Sequence, residues 1–241
     1  MKWRKIYGKL VYRLAKYHFL KNFVISQLGL MKGGLVSSTL FRLYRPQCFL
    51  EIGVGKGENL RRFIFESQCL GFSAIKYFGF DSFDEGPPSE ETDLLQNRIK
   101  RAQQGSKFWD MHYSTMESIY AIGEDYDKVD CQIKLFKGNT KETLPENLSQ
   151  VPSVDFVYID GGHSYETVKS DYLNVKTILK TGTVVVFDDF NCERGVSRFI
   201  GELLSEEGGF FSRVMFIPAD FGTWHCSTVV LIYNEEEAVQ R

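Results

Sequence analysis

Apolar residues along this chain fall into two rhythms. Short continuous runs rich in Val, Ile and Phe read as buried strands. They are CFLEIG (48–53), IKYFGFD (75–81), IKLFKG (133–138), VDFVYID (154–160) and TVVVFDD (183–189), with FSRVMFIP (211–218) and TVVLIY (228–233) following close together near the end. Between them, apolar positions recur every three or four residues, as expected of helices packed on one face. These stretches are ENLRRFIFESQ (58–68), a short KETLPENL (141–148), residues 195–207, and HSYETVKSDYLNVKTILK (163–180) with Val168, Tyr172, Val175 and Leu179 in line. Strand and helix in alternation predict an α/β fold: a Rossmann-like, doubly wound, mostly parallel seven-stranded sheet. The last two runs predict an antiparallel hairpin at its edge.

Two stretches break the alternation. Residues 1–45 form a basic extension, with a predicted helix over 1–21 that aligns Trp3, Ile6, Tyr7, Leu10, Val11, Leu14 and Tyr17, and a shorter helix, SSTLFRLY, before Pro46. Residues 82–130, with Pro87-Pro88 and KFWDMHYSTM, exceed ordinary connections in such folds and read as a lid inserted into a domain of residues 46–241. Trp109, His112 and Tyr113 in this lid are candidate acceptor contacts.

Charge sharpens the picture. Residues 1–50 contain ten Lys/Arg and no Asp/Glu, although the whole chain holds 29 basic and 31 acidic residues. The basic helix is expected to dock on its own domain or on a second copy in a homodimer, or else to touch a membrane surface or an anionic substrate. The acidic remainder argues against nucleic acid as a partner. No run of apolar residues is long enough to span a bilayer. Five scattered cysteines without C-x-x-C spacing predict neither a disulfide framework nor a zinc site. A cytoplasmic protein, or one peripheral at the inner membrane surface, is expected.

Ligands of open α/β sheets sit at the carboxyl ends of the strands, and four strand ends here carry chemistry. The first run leads into EIGVGKG (51–57), whose glycines let a ligand approach the backbone. The second ends in Asp81, placed to bind two ribose hydroxyls. The others end in Asp160 and in the pair Asp188-Asp189. Three carboxylates at one sheet edge repel one another unless a cation joins them, and all-oxygen ligation favours Mg²⁺, with Ca²⁺ or Mn²⁺ next. Asp188 and Asp189 would face opposite sides of a continuing strand, so a turn at the strand end is needed to bring both inward.

These motifs together resemble class I S-adenosylmethionine-dependent methyltransferases. The pattern YIDGGHSY…SDY…VVVFDDF is similar to the metal-dependent O-methyltransferases of the macrocin type, which methylate sugar hydroxyls, and more distantly to catechol O-methyltransferase. The resemblance covers roughly residues 46–234. It implies that Glu51, Gly53, Gly55 and Gly57 border the methionine part of S-adenosylmethionine, that Asp81 binds its ribose, and that Ser82, Asn139 and Thr140 flank its adenine. It implies a Mg²⁺ held by Asp160, Asp188 and Asp189. His163 stands where the catechol enzymes have a catalytic lysine, so His163 or Asp160 is the expected base. The expected reaction is methyl transfer to a hydroxyl of a sugar, glycan or glycosylated metabolite. The alternatives are a catechol-like small-molecule acceptor, or an NAD-dependent oxidoreductase built on the same glycines.

Overall fold

A computed structural model describes residues 34–83, 114–126, 128–220 and 223–235. The expected basic helix, most of the 82–130 lid, and Trp109, His112 and Tyr113 within it lie outside the described residues.

Seven strands form one sheet: β1 (Cys48–Ile52), β2 (Ala74–Asp81), β3 (Asp130–Lys137), β4 (Phe156–Ile159), β5 (Val184–Phe190), β6 (Phe211–Asp220) and β7 (Thr223–Tyr233). Their spatial order is β3-β2-β1-β4-β5-β7-β6. The first five are parallel, whereas β7 pairs antiparallel with both β5 and β6. This is the predicted architecture, hairpin included. Strand order reverses between β1 and β4, so a crevice opens at the carboxyl ends of these two strands.

Six α-helices are described: α1 (Gly34–Tyr44), α2 (Glu58–Cys69), α3 (Met116–Glu124), α4 (Thr140–Asn147), α5 (Tyr165–Val175) and α6 (Arg194–Glu207). Because side chains alternate along a strand, the sheet supplies two cores. One face presents Leu50, Ile52, Phe80, Val157, Val185 and Phe187, which pack with residues of α4, α5 and α6. The other presents Phe49, Tyr77, Phe156, Tyr158, Val184 and Val186, packed with residues of α1, α2 and α3. Phe41 of α1 anchors this second layer, its ring 4.9–5.3 Å from those of Phe49, Phe63 and Phe156. Burial of both faces explains why the parallel strands read as unbroken apolar runs rather than as alternating ones.

The end of the expected lid belongs to the core. Ile119 and Ile122 of α3 are each 1% exposed, and a Cβ on Gly57 would lie 2.4 Å from the Ile122 Cδ1. Two apolar positions three apart within a short helix gave only a weak periodic signal in the sequence, which the aromatic residues upstream overshadowed.

Candidate active site

The glycine turn between β1 and α2 is fixed by contacts with two neighbouring strands. The Gly53 N–H donates to the Phe80 carbonyl at 2.9 Å, and the Asp160 N–H donates to the Ile52 carbonyl at 2.9 Å. Gly53 has φ +84, and a Cβ there would stand 2.0 Å from the Asp160 carbonyl oxygen. No L side chain fits, so this glycine is needed for the close passage of the β4 end and not only for the turn. Gly55, with φ +53, faces open space, and its N–H donates to Asp81 Oδ2 at 3.0 Å. The other Asp81 oxygen accepts the Phe83 N–H at 2.8 Å and lies 3.4 Å from the Ser82 hydroxyl. Asp81 is thus brought against the glycine turn, with Ser82 beside it.

Glu51 is 1% exposed and does not open onto the crevice. Its carboxyl accepts hydrogen bonds from the Tyr77 hydroxyl and, at 2.8 Å, from the Asn59 Nδ2. Burial pushes its pKa up to about 7, against the opposing effect of these two donors. Glu51 therefore supports the turn from behind. Asn139 caps α4, its side chain accepting the Lys141 N–H at 3.1 Å, and Thr140 is the first residue of that helix. The Gly138 N–H donates to the Asp81 carbonyl at 2.9 Å, which sets the start of α4 beside Asp81.

On the other side of the crevice, Asp160, His163 and Asp189 each offer a ligand atom, all within 4.8 Å of one another. His163 Nε2 is 2.8 Å from Asp189 Oδ2. The loop bearing His163 is held by two helix starts. Ser164 caps α5 by accepting the Thr167 N–H at 3.2 Å, and a Cβ on Gly195 near the start of α6 would lie 2.2 Å from the His163 carbonyl oxygen. Two carboxylates at this spacing fit a divalent cation, whose charge offsets the repulsion between the acids, and the imidazole stands beside them.

Asp188, expected as a third ligand, is not part of this group. Its Oδ2 accepts the Tyr158 hydroxyl at 2.8 Å, and its Oδ1 accepts the Thr228 hydroxyl at 3.1 Å and the Asp189 N–H at 3.0 Å. The strand does not end where the turn was expected. It bulges: Phe187 pairs with Val229 and Phe190 with Ser227, so three steps on β5 span two on β7. Asp189 takes up the extra length at φ +57. The two acids consequently serve different neighbours.

Sequence reasoning missed Tyr77, Asn59, Tyr158 and Thr228. All four act through hydroxyl or amide donors on other elements, and nothing in their local sequence marks such pairings. It also missed a disulfide. Cys48, Cys69 and Cys131 are free, but Cys192 is disulfide-bonded, and its Sγ lies 3.3 Å from Asp189 Oδ1. A cavity of about 580 Å³ opens over the β2–β3 face beside Lys76, Phe78 and Lys134. None of the strand-end acids lines it, so it is separate from this site.

The sequence matches a family described as "Methyltransferase domain" over residues 50–190, more than half of the chain. The protein belongs to this methyltransferase family. The match spans both the glycine turn and the Asp188-Asp189 pair, and it makes the chain an S-adenosylmethionine-dependent methyltransferase. The NAD-dependent alternative falls with it. A search of curated proteins finds no match. Among solved structures, the methyltransferase is similar in fold to the O-methyltransferase NovP, at 16% identity over 92% of this chain and 84% of that one, with a TM-score of 0.55. It is similar to CalS11, a calicheamicin methyltransferase, at 17% identity over 92% and 90%, with a TM-score of 0.53. A third is an O-methyltransferase from Bacillus cereus in complex with SAH, at 11% identity over 94% and 97%, with a TM-score of 0.50. Among the described residues, no helix of the methyltransferase is long and apolar enough to cross a membrane.

Proposed function

We propose that this methyltransferase transfers its methyl group to a hydroxyl oxygen, assisted by a divalent cation, with Mg²⁺ the expected ion. The observation that supports this reading is the grouping of Asp160, His163 and Asp189 at the crevice whose other wall is the glycine turn. When bound, the cation supplies charge that orients an acceptor hydroxyl and lowers its pKa. Asp160 and Asp189 would hold it through carboxylate oxygens. His163, with Asp160 as its rival, would take the proton as the O–CH₃ bond forms and the S–CH₃ bond breaks. The sulfonium electron pair returns to sulfur, so the products are the methyl ether, S-adenosylhomocysteine and a proton. The turn at Gly53 and Gly55, with Asp81, would place the donor so that its methyl group lies in line with the acceptor.

The acceptor we assign is a hydroxyl of a sugar or glycosylated metabolite, on the resemblance of YIDGGHSY and VVVFDDF to the sugar-methylating enzymes. Titration with S-adenosylmethionine, followed by an acceptor screen for a methyl-sized mass increase with Mg²⁺ or with excess EDTA, tests the reading. Methylated sugars only in the Mg²⁺ arm are expected. Full transfer in EDTA, or transfer only to catechols, would overturn the cation or the acceptor respectively.

A further inference from the structure

Asp188 carries out a task that its neighbour does not. The bulge in β5 interrupts the ladder to β7 between Phe187 and Phe190, and Asp189 sits in the left-handed region at φ +57. Aspartate enters that region more readily than most side chains, but still at a cost that its surroundings must offset. Asp188 provides the means. Tyr158 is on β4 and Thr228 on β7, the strands flanking β5 on either side. Both are 2% exposed, and each donates its hydroxyl to one oxygen of Asp188. The same carboxylate accepts the Asp189 N–H. One side chain therefore ties three strands together at the irregular step and grips the backbone of the residue that follows. Asp189 is then left to reach His163 at 2.8 Å.

We propose that Tyr158 and Thr228 are positioning residues: by fixing Asp188 from both flanking strands, they lock the bulge that aims Asp189 at Asp160 and His163. Neither hydroxyl belongs to the group formed by Asp160, His163 and Asp189; both act on Asp188. Their effect on cation affinity rests on the function proposed above, whereas their effect on the position of Asp189 does not.

The test uses the full chain with Tyr158→Phe and Thr228→Val, singly and together, since each change removes a donor and keeps the side chain's size. Mn²⁺ binding is followed by electron paramagnetic resonance, S-adenosylhomocysteine binding by calorimetry, and the position of Asp189 by a crystal structure of the double variant. In the double variant Mn²⁺ affinity should fall about 10- to 100-fold, the scale seen when partners of metal ligands are removed. S-adenosylhomocysteine affinity should stay within about twofold. Thr228→Ser, which keeps a hydroxyl, should bind Mn²⁺ as the wild type does. In the crystal, Asp189 should leave the left-handed region and move away from His163. Asp189 unmoved in the double variant would overturn the proposal, as would unchanged Mn²⁺ affinity alongside a wild type that binds Mn²⁺. If the wild type itself binds no Mn²⁺, the cation reading fails, and the crystal structure alone decides whether the two hydroxyls hold Asp189.

Discussion

Asp188 and Asp189 are adjacent, yet the first accepts hydrogen bonds from Tyr158 and Thr228 while the second stands 2.8 Å from His163 Nε2. Their replacement should therefore have different consequences. Asp189→Ala is expected to abolish Mn²⁺ binding and methyl transfer with little change in thermal stability. Asp188→Ala should lose activity and also stability, by about 1–3 kcal/mol, because buried hydroxyls are left without an acceptor. For a chain of this size that is a fall in Tm of about 2–4 °C per kcal/mol. Equal Tm values for the two variants in differential scanning calorimetry would count against this division.

His163 separates binding from proton transfer. If it takes the acceptor proton, His163→Ala should lower kcat by about 10²–10⁴. Mn²⁺ affinity and S-adenosylhomocysteine affinity should stay close to those of the wild type. A variant that fails to bind Mn²⁺ would place the imidazole among the ligands, and Asp160 would then be the base.

The buried Glu51 carboxyl gives stability a defined dependence on pH. Its pKa is raised by burial from 4.5 to about 7, so the folded chain keeps the proton while the unfolded chain releases it. The contribution is fully present below about 4.5, declines as pH rises toward 7, and is lost above. Its size is at most ~4 kcal/mol, from about 1.4 kcal/mol for each unit of pKa. Glu51→Gln keeps an acceptor for Tyr77 and cannot ionise. Denaturant unfolding at pH 5 and 7.5 should show the wild type losing more stability than Glu51→Gln across that interval. Parallel losses would refute the assignment.

The two glycines that begin the turn should not tolerate alanine equally. At Gly53 a Cβ would meet the Asp160 carbonyl at 2.0 Å, so Gly53→Ala must part β1 from the end of β4 and should abolish S-adenosylhomocysteine binding. Gly55→Ala meets open space and costs only its positive φ, about 1 kcal/mol. It should fold and bind, though more weakly. Calorimetric titration of both variants with S-adenosylhomocysteine checks the order.

Much of this arrangement was legible in the residues. Continuous apolar runs identified the parallel strands because both faces of the sheet are buried, and Asp81, Asp160 and the Asp188-Asp189 pair stood out as charges at the ends of such runs. What was not legible depends on contacts between distant segments. Alternation put Asp188 and Asp189 on opposite sides. A turn at the strand end was expected to reverse this, yet a bulge pinned by Tyr158 and Thr228 keeps the two acids apart. Glu51 read as part of the cofactor turn because sequence cannot show that Tyr77, twenty-six residues away, would claim its carboxyl. The disulfide at Cys192 escaped because no local spacing announces it.

The contact between Gly53 and the Asp160 carbonyl has a further bearing on how the two substrates meet. One wall of the crevice would hold the methyl donor and the other the acceptor, and here the walls touch backbone to backbone with no side chain between them. In that arrangement the distance a methyl group has to travel would be set by a peptide contact. Scanning the polar residues of the crevice would leave that contact untouched, and a single added carbon atom at residue 53 would change it.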